Sequence, residues 1–542
     1  MAQVHQHILT VAGLFTILIV PSALARKFYN DDPVLALPKP VSVGKLKRRK
    51  ASDIYDFFLM AFGKPGEKHL PGNPIPAQAV NTLGEVPDNE WYTNRHGRKT
   101  MSIEELVRGP GNSTPPATDK PWEVTAAKTE GVTAGFTIRD SRGNRYQLKF
   151  DGAKSYEHVT GTDVMGSKFF WAFGYYTPQN YIVNFDTSQL RVPPGTKWID
   201  KRGEERDMVQ SDVDDIMTFL PRNSEGRIRA LASLYLEGDV IGPFNWNGMR
   251  RDDPNDYVLH EHRRDLRGAR VFYAWTNHMD AKSLNTLDTV VEQNGVRAVR
   301  HHLIDFGATF GAEAFEPKSP RAGYVYLLDW KDSALSFFTL GVATPAWTRA
   351  KYEYVKEIGR LEANVFDPEK WKANYYIPAF ENMLPDDAFW AARTVMRFTE
   401  PEIRAMVGTG QFSSQEGADY LTRVLVGRQQ KIGRTYFSQV LPLDEIRVEG
   451  GALRFEDLAA RYGFVTPRKF TFSWSVFDNK TESRSPIAGG DSATIPSSTA
   501  PYLTVDISAG DAARKVSVYL RRNSNGYDVV GIERTFPPKD KT

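Results

Sequence analysis

Asn277-His278-Met279-Asp280-Ala281-Lys282-Ser283-Leu284-Asn285, followed about twenty residues later by Leu303-Ile304-Asp305-Phe306-Gly307, is the stretch on which the reading of this chain turns. Between the two lies Thr289-Val290-Val291-Glu292-Gln293, then Asn294-Gly295, then a run from Val296 to Ile304. Two strand-like runs joined by Asn-Gly predict a β-hairpin with a type I′ turn, whose two central residues both need positive φ. A hairpin brings its outer ends together. Asn285 at one end and Asp305 at the other are therefore expected to converge, with Asp280 five residues earlier on the loop.

The spacing Asp-x-Lys-x-x-Asn followed by Asp-Phe-Gly resembles the catalytic loop and metal-binding motif of the protein kinase superfamily. His278 holds the place of that loop's leading histidine, and Met279 stands where typical kinases carry arginine. That arginine normally reads activation-loop phosphorylation, so its absence speaks against such regulation and not against the chemistry. The resemblance implies that Asp280 accepts or orients the proton of an attacking hydroxyl. It implies that Lys282 neutralises charge on the transferred phosphoryl group, and that Asn285 and Asp305 hold magnesium. Asp and Asn are also common turn residues, which is the plainer account of each taken singly.

An upstream hairpin supplies a second expected part of the site. Phe136 to Asp140, a turn at Ser141 to Asn144, and Arg145 to Phe150 alternate apolar and polar residues as strands do. Lys149 shares a face with Gln147, opposite Tyr146, Leu148 and Phe150, and resembles the kinase strand lysine that contacts nucleotide phosphates. Gly131 and Gly135 flank the preceding loop and can let backbone N–H groups approach phosphate, although they do not match Gly-x-Gly-x-x-Gly. A helix is expected from Asp163 to Phe173, ending at Gly174. It contains no Glu, so Asp163, or else Glu157 just before it, is expected to pair with Lys149. A helix-capping role for Asp163 is the competing expectation.

The resemblance covers roughly residues 120 to 440. Its texture is nearest to the atypical branches: secreted Golgi-type kinases, lipid kinases and toxin-type serine kinases. The stretch Glu261 to Arg270 also resembles exported bacterial proteins of kinase-like fold. The expected class is thus α+β, a bilobal protein kinase-like fold carrying a C-terminal all-β, sandwich-like domain. Residues 1–25 read as a signal peptide, 26–120 as an extended N-terminal arm, 121–240 and 241–444 as the N- and C-lobes, and 445–542 as the β-rich tail. Within the later part, helices are expected at Pro345 to Asn364 and Asp387 to Arg397, and a tight hairpin at Asn525-Gly526.

Whole-chain properties fit this division. At 542 residues two or three domains are expected, and 41% hydrophobic content argues against global disorder. A net charge of +3 gives no reason to expect nucleic acid. The absence of cysteine excludes disulfides, thiolate catalysis and Cys-ligated zinc, so any metal must sit on oxygen ligands such as suit magnesium, manganese or calcium. His260 and His262 lack a third ligand nearby and read as solvated polar residues. The apolar run Ile8 to Val20, with Ala23-Leu24-Ala25 after it, predicts export and cleavage before Arg26. No stable transmembrane span is expected from so short a run. Against the export reading, the basic residues Lys45, Lys47, Arg48, Arg49 and Lys50 follow the run instead of preceding it. In the arm the one apolar stretch is Ile54 to Phe62.

Together these features predict an exported phosphotransferase that uses ATP and Mg2+, with Mn2+ a possible substitute. Its acceptor is a hydroxyl on a protein, a sugar or a lipid head group. Three alternatives stand beside it: an exported pseudokinase that binds nucleotide without turnover, a nucleotidyl (AMP) transferase on the same fold, and an envelope binding module built on the tail. For the last, Trp474 and Tyr502 sit at alternating strand positions, which favours core packing over a binding surface.

Overall fold

A computed structural model describes residues 26–70, 72–111, 114–127, 135–199, 204–314, 316–328 and 345–538. The chain is of the α+β class. Its first large element is a six-stranded sheet in the order β4-β8-β3-β2-β1-β5, built from β1 (Trp122–Ala127), β2 (Gly135–Arg139), β3 (Arg145–Phe150), β4 (Asn180–Phe185), β5 (Leu190–Arg191) and β8 (Ile228–Leu234). A small ribbon of β6 (Lys197–Ile199) and β7 (Glu205–Asp207) lies beside it. The β2–β3 turn is set by Asp140, whose carboxylate accepts from the backbone N–H groups of Arg142 and Asn144 at 3.1 and 2.9 Å. Alternation along β3 sends Tyr146, Leu148 and Phe150 into an apolar layer shared with Val213 and Met217 of a helix at Gln210–Thr218. Gln147 and Lys149 face the other way, as the period of two requires.

That second face is covered by a helix at His158–Phe173, here α3, after α1 (Asp53–Phe58) and α2 (Ile103–Arg108) in the arm. It begins five residues earlier than the sequence pattern suggested. The reason is Asp151, whose carboxylate accepts from the backbone N–H groups of Glu157 and Thr160 and from the Thr160 hydroxyl at 2.6 Å. These bonds satisfy donors that a helix start leaves over. Asp163 therefore lies in the second turn, and the capping role is excluded.

Beyond the sheet, β9 (Asp239–Gly242), β10 (Thr286–Gln293) and β11 (Val296–Leu303) form a three-stranded sheet. Asn294 and Gly295 have φ of 53° and 76°, the type I′ geometry expected, and Thr286 pairs with Leu303 at the open end of the hairpin. A helical layer follows. The helix Arg264–Thr276 packs on helices Pro385–Arg397 and Gln415–Phe437, and the Trp275 indole donates to the Leu425 carbonyl at 2.9 Å. The tail holds a ribbon of β12 (Leu443–Glu449) and β13 (Ala452–Asp457). Against it packs an antiparallel sheet β15-β14-β16-β17-β18, made of β14 (Thr471–Phe477), β15 (Arg484–Pro486), β16 (Tyr502–Ser508), β17 (Lys515–Asn523) and β18 (Gly526–Arg534). Leu443, Leu453, Trp474, Leu503 and Val505 share one core there, so Trp474 is a packing residue.

Residues 26–121 run over several of these parts. Phe28 inserts beside Phe477 and Tyr519 of the tail sheet, Val43 beside Ile241 and Val299, and Tyr92 into the helical core. Two expectations fail. Residues 345–364 hold only one 3-10 turn at Ala346–Arg349. Beyond it the chain follows tertiary contacts: the Glu362 carbonyl accepts from Arg428, and the Arg360 N–H donates to the Gly311 carbonyl. The last hairpin turns at Ser524-Asn525, one residue earlier than expected, because Asn523 pairs with Gly526. Among the described residues no helix is long and apolar enough to cross a membrane. Residues 1–25 lie outside the described residues.

Candidate active site

Lys149 is where the separate parts meet. On β3 it pairs with Gly135 of β2 on one side and Leu231 of β8 on the other, so its backbone is fixed from both edges. Its ammonium donates to Asp163 Oδ2 at 3.0 Å and to Asp305 Oδ1 at 2.9 Å. One strand, one helix and the segment after the hairpin are joined by a single cation. Burial opposes that charge, but Asp163 and Asp305 outweigh it and hold the ammonium's pKa above that of an ordinary lysine. Asp163 is itself fixed, since its Oδ1 accepts from Asn180 Nδ2 at 2.8 Å and from the Phe306 N–H at 3.2 Å. Glu157 is not the partner: its carboxylate accepts from the N–H and hydroxyl of Ser413.

The Asp-Phe-Gly segment is pressed onto α3. A Cβ at Gly166 would lie 2.4 Å from Phe306 Cβ, so the helix needs glycine there to let the Phe306 ring approach. Phe306 is fully buried, whereas the Asp305 side chain is about half exposed (47%) and its backbone is left-handed, with φ of 60°. An Asp tolerates that conformation better than most residues. Asp305 thus meets Lys149 from the end of the hairpin while part of its carboxylate stays exposed.

On the other side of the hairpin end, Asn285 Nδ2 donates to both the carbonyl and Oδ2 of Asp280, at 2.8 and 2.9 Å. The Ile304 N–H donates to the Asn285 carbonyl at 3.0 Å, which ties the two halves of the motif together. Lys282 Nζ lies 3.4 Å from Asp280 Oδ2 and 3.3 Å from Asp53 Oδ1. His278 stacks on Tyr273 with ring planes 6° apart, and burial, aided by the nearby Lys318 charge, pushes its imidazole down to about 3. It is neutral packing beneath the loop.

The structure thus forms two groups, Lys149–Asp163–Asp305 and Asp280–Lys282–Asn285, joined where the Ile304 N–H donates to the Asn285 carbonyl. Gly135 sits at the start of β2, across from Lys149 and bordering residues 128–134, while Gly131 lies outside the described residues. His260 and His262, expected to be solvated, are buried: their Nε2 atoms meet Asp256 and Glu67, each at 2.9 Å. Three residues near the site had no sequence signal pointing to it. Asn180 holds Asp163. Asp53 comes from the arm, far away in sequence. Lys318 is buried with its Nζ on the Ala308 carbonyl, and burial pushes it down to about 8 against the pull of Asp280 and Glu313.

Among the described residues no three His, Asp or Glu side chains converge to hold a metal by themselves. The Asp305 carboxylate and the Asn285 amide oxygen are hard donors of the kind magnesium and manganese accept. Magnesium in particular commonly takes one or two protein ligands and completes its shell with phosphate and water oxygens.

No protein-family model matches the chain, and no curated protein matches its sequence significantly. Among solved structures, the Golgi casein kinase with Mn/ADP bound aligns at 9% identity and a TM-score of 0.30, covering 62% of this chain and 73% of that one. A second structure of the Golgi casein kinase aligns at 8% identity and 0.29, covering 61% and 73%. At such TM-scores the likeness is too loose to bear on either fold or function.

Proposed function

We propose that the protein is an exported phosphotransferase of protein kinase-like fold. It moves the γ-phosphoryl group of ATP to a hydroxyl acceptor with the help of magnesium. The observation that carries this reading is the double contact of Lys149 with Asp163 on α3 and Asp305 after the hairpin, beside the Asp280–Asn285 pair. The strand lysine, the helix carboxylate and the Asp-Phe-Gly aspartate are the parts that phosphoryl transfer by such enzymes requires in one place. The export part of the proposal rests on the apolar run and the Ala-Leu-Ala site alone.

Each residue has a task in this scheme. Lys149, kept charged by two carboxylates, has a third N–H to offer a nucleotide phosphate oxygen. Asn285 and Asp305 would hold the divalent ion, which supplies positive charge against the phosphates when bound. Asp280 orients the acceptor hydroxyl and takes its proton as the new oxygen–phosphorus bond forms and the bond to the ADP oxygen breaks. Lys282 offsets the negative charge that gathers on the transferred group. Asp163 and Asn180 touch neither reactant and serve to hold Lys149.

ATP labelled separately at the α and γ phosphates tests the proposal. Transfer of the γ label to acceptor, lost in Asp280→Ala, is the expected result. Transfer of the α label would assign AMP transfer, and nucleotide binding without transfer to any hydroxyl acceptor would make the protein a pseudokinase.

A further inference from the structure

Helix α1 and the single π turn that continues it, Leu59–Gly63, bury only one side chain, Met60. Ile54, Tyr55, Phe58 and Phe62 are 72%, 65%, 55% and 58% exposed, and the Phe58 and Phe62 rings stack 5.9 Å apart. Large apolar side chains gathered on one short segment mark an interaction site. Charge sets the kind of partner. Residues 45–68 carry seven basic side chains against three acidic ones, with Lys45, Lys47, Arg48 and Lys50 exposed just before α1 and Lys64 just after it.

The segment is held in place. The Arg49 N–H donates to the Ile241 carbonyl at 2.8 Å, and Asp53 pairs with Lys282. Phe57 meets Tyr375 edge-on with ring centroids 6.1 Å apart, so the inner side of α1 rests against the catalytic loop and its neighbours. The outer side carries the exposed Ile54, Tyr55, Phe58 and Phe62, with exposed cations before and after it in the chain. This is the pattern of an interfacial anchor for anionic lipid, in which aromatic groups enter the headgroup boundary and lysines meet acidic headgroups.

We infer that residues 45–68 dock the protein onto an anionic lipid surface through Ile54, Tyr55, Phe58 and Phe62. Because α1 contacts Lys282 on its inner side, docking through the outer side holds the Asp280–Asn285 loop one helix diameter, roughly 10 Å, from the headgroups. The acceptor hydroxyl is then one carried at that surface, a clause that rests on the phosphotransferase reading, whereas the docking itself does not.

Cosedimentation of the full chain with vesicles tests the inference. Phosphatidylcholine vesicles containing phosphatidylglycerol should bind the protein, pure phosphatidylcholine vesicles should not, and binding should weaken as salt rises. The triple variants Ile54→Ser/Phe58→Ser/Phe62→Ser and Lys45→Glu/Lys47→Glu/Lys50→Glu should each lose about tenfold or more in vesicle affinity. Circular dichroism and thermal melting should match wild type. Wild-type binding that is equal on both vesicle types, or absent from both, overturns the inference. So does a concentration-dependent dimer abolished by the serine variant, which would assign the patch to a second copy. Vesicle binding in a protein that binds no ATP would leave the docking surface standing and remove the phosphotransferase reading.

Discussion

Replacing Lys149 with Met separates a site lysine from a surface one by stability alone, before any activity is assayed. Asp163 is 1% exposed in its side chain, and the substitution removes its counter-ion while leaving the bonds from Asn180 and Phe306. Breaking a buried ion pair from one side costs about 3–5 kcal/mol, because a charge is left in low dielectric. Two surviving hydrogen bonds place the expected loss near the lower end, about 3 kcal/mol. Asp163→Ala should cost less, about 1–3 kcal/mol, since Lys149 keeps the half-exposed Asp305 as a partner. The double variant should then lose about 1–3 kcal/mol less than the sum of the single losses, as expected for residues in direct contact. Equilibrium urea unfolding followed by tryptophan fluorescence reads all four species. A Lys149→Met loss of only a few tenths of a kcal/mol, with additive behaviour in the double variant, would refute the buried pair and the two-lobed site built on it.

Asp305→Ala removes a half-exposed carboxylate, so it should change stability by about 1 kcal/mol or less while abolishing magnesium-dependent nucleotide binding in a titration. Asp280→Ala should bind nucleotide like wild type and lose about 100-fold or more in kcat in a γ-label transfer assay. His278 is neutral in the fold down to about pH 3, whereas its ordinary pKa is 6.5. Below pH 6.5 the unfolded chain therefore takes up the proton that the fold refuses, and stability falls as pH drops toward 3, by about 1.4 kcal/mol per pH unit. His278→Phe should flatten that part of an acid-denaturation curve. Lys318 is pushed from 10.5 to about 8, so its burial penalty is full below pH 8 and is relieved between 8 and 10.5. Lys318→Met should stabilise the protein at pH 7 and remove the rise in stability over that alkaline window, both measurable by thermal melting.

How much of this was legible beforehand follows from how local each signal is. The β10–β11 hairpin was readable because Asn294-Gly295 dictates its own turn, and the meeting of Asn285 with the Asp305 segment follows from the pairing. Lys149 was readable from strand alternation. That Asp163, and not Glu157, answers it was not, because the choice depends on Asp151 starting α3 early and on Ser413 engaging Glu157. Residues 350–364 carry a helix-like pattern that tertiary contacts override: Gly359 is pressed against Gly311 and Glu362 is held by Arg428. His260 and His262 looked solvated because Glu67, which pairs with His262, lies far away in sequence. The contact of Asp53 with Lys282 escaped for the same reason, and with it the position of the exposed α1 segment beside the Asp280–Asn285 loop.

Calorimetric titration of the protein with ATP, with and without magnesium, bears most directly on the central claim that the Lys149–Asp305 contact marks a nucleotide site. The account predicts binding that requires magnesium, weakens strongly in Lys149→Met and disappears in Asp305→Ala. No binding to wild type, or binding that is equally strong without magnesium and in Asp305→Ala, would contradict it.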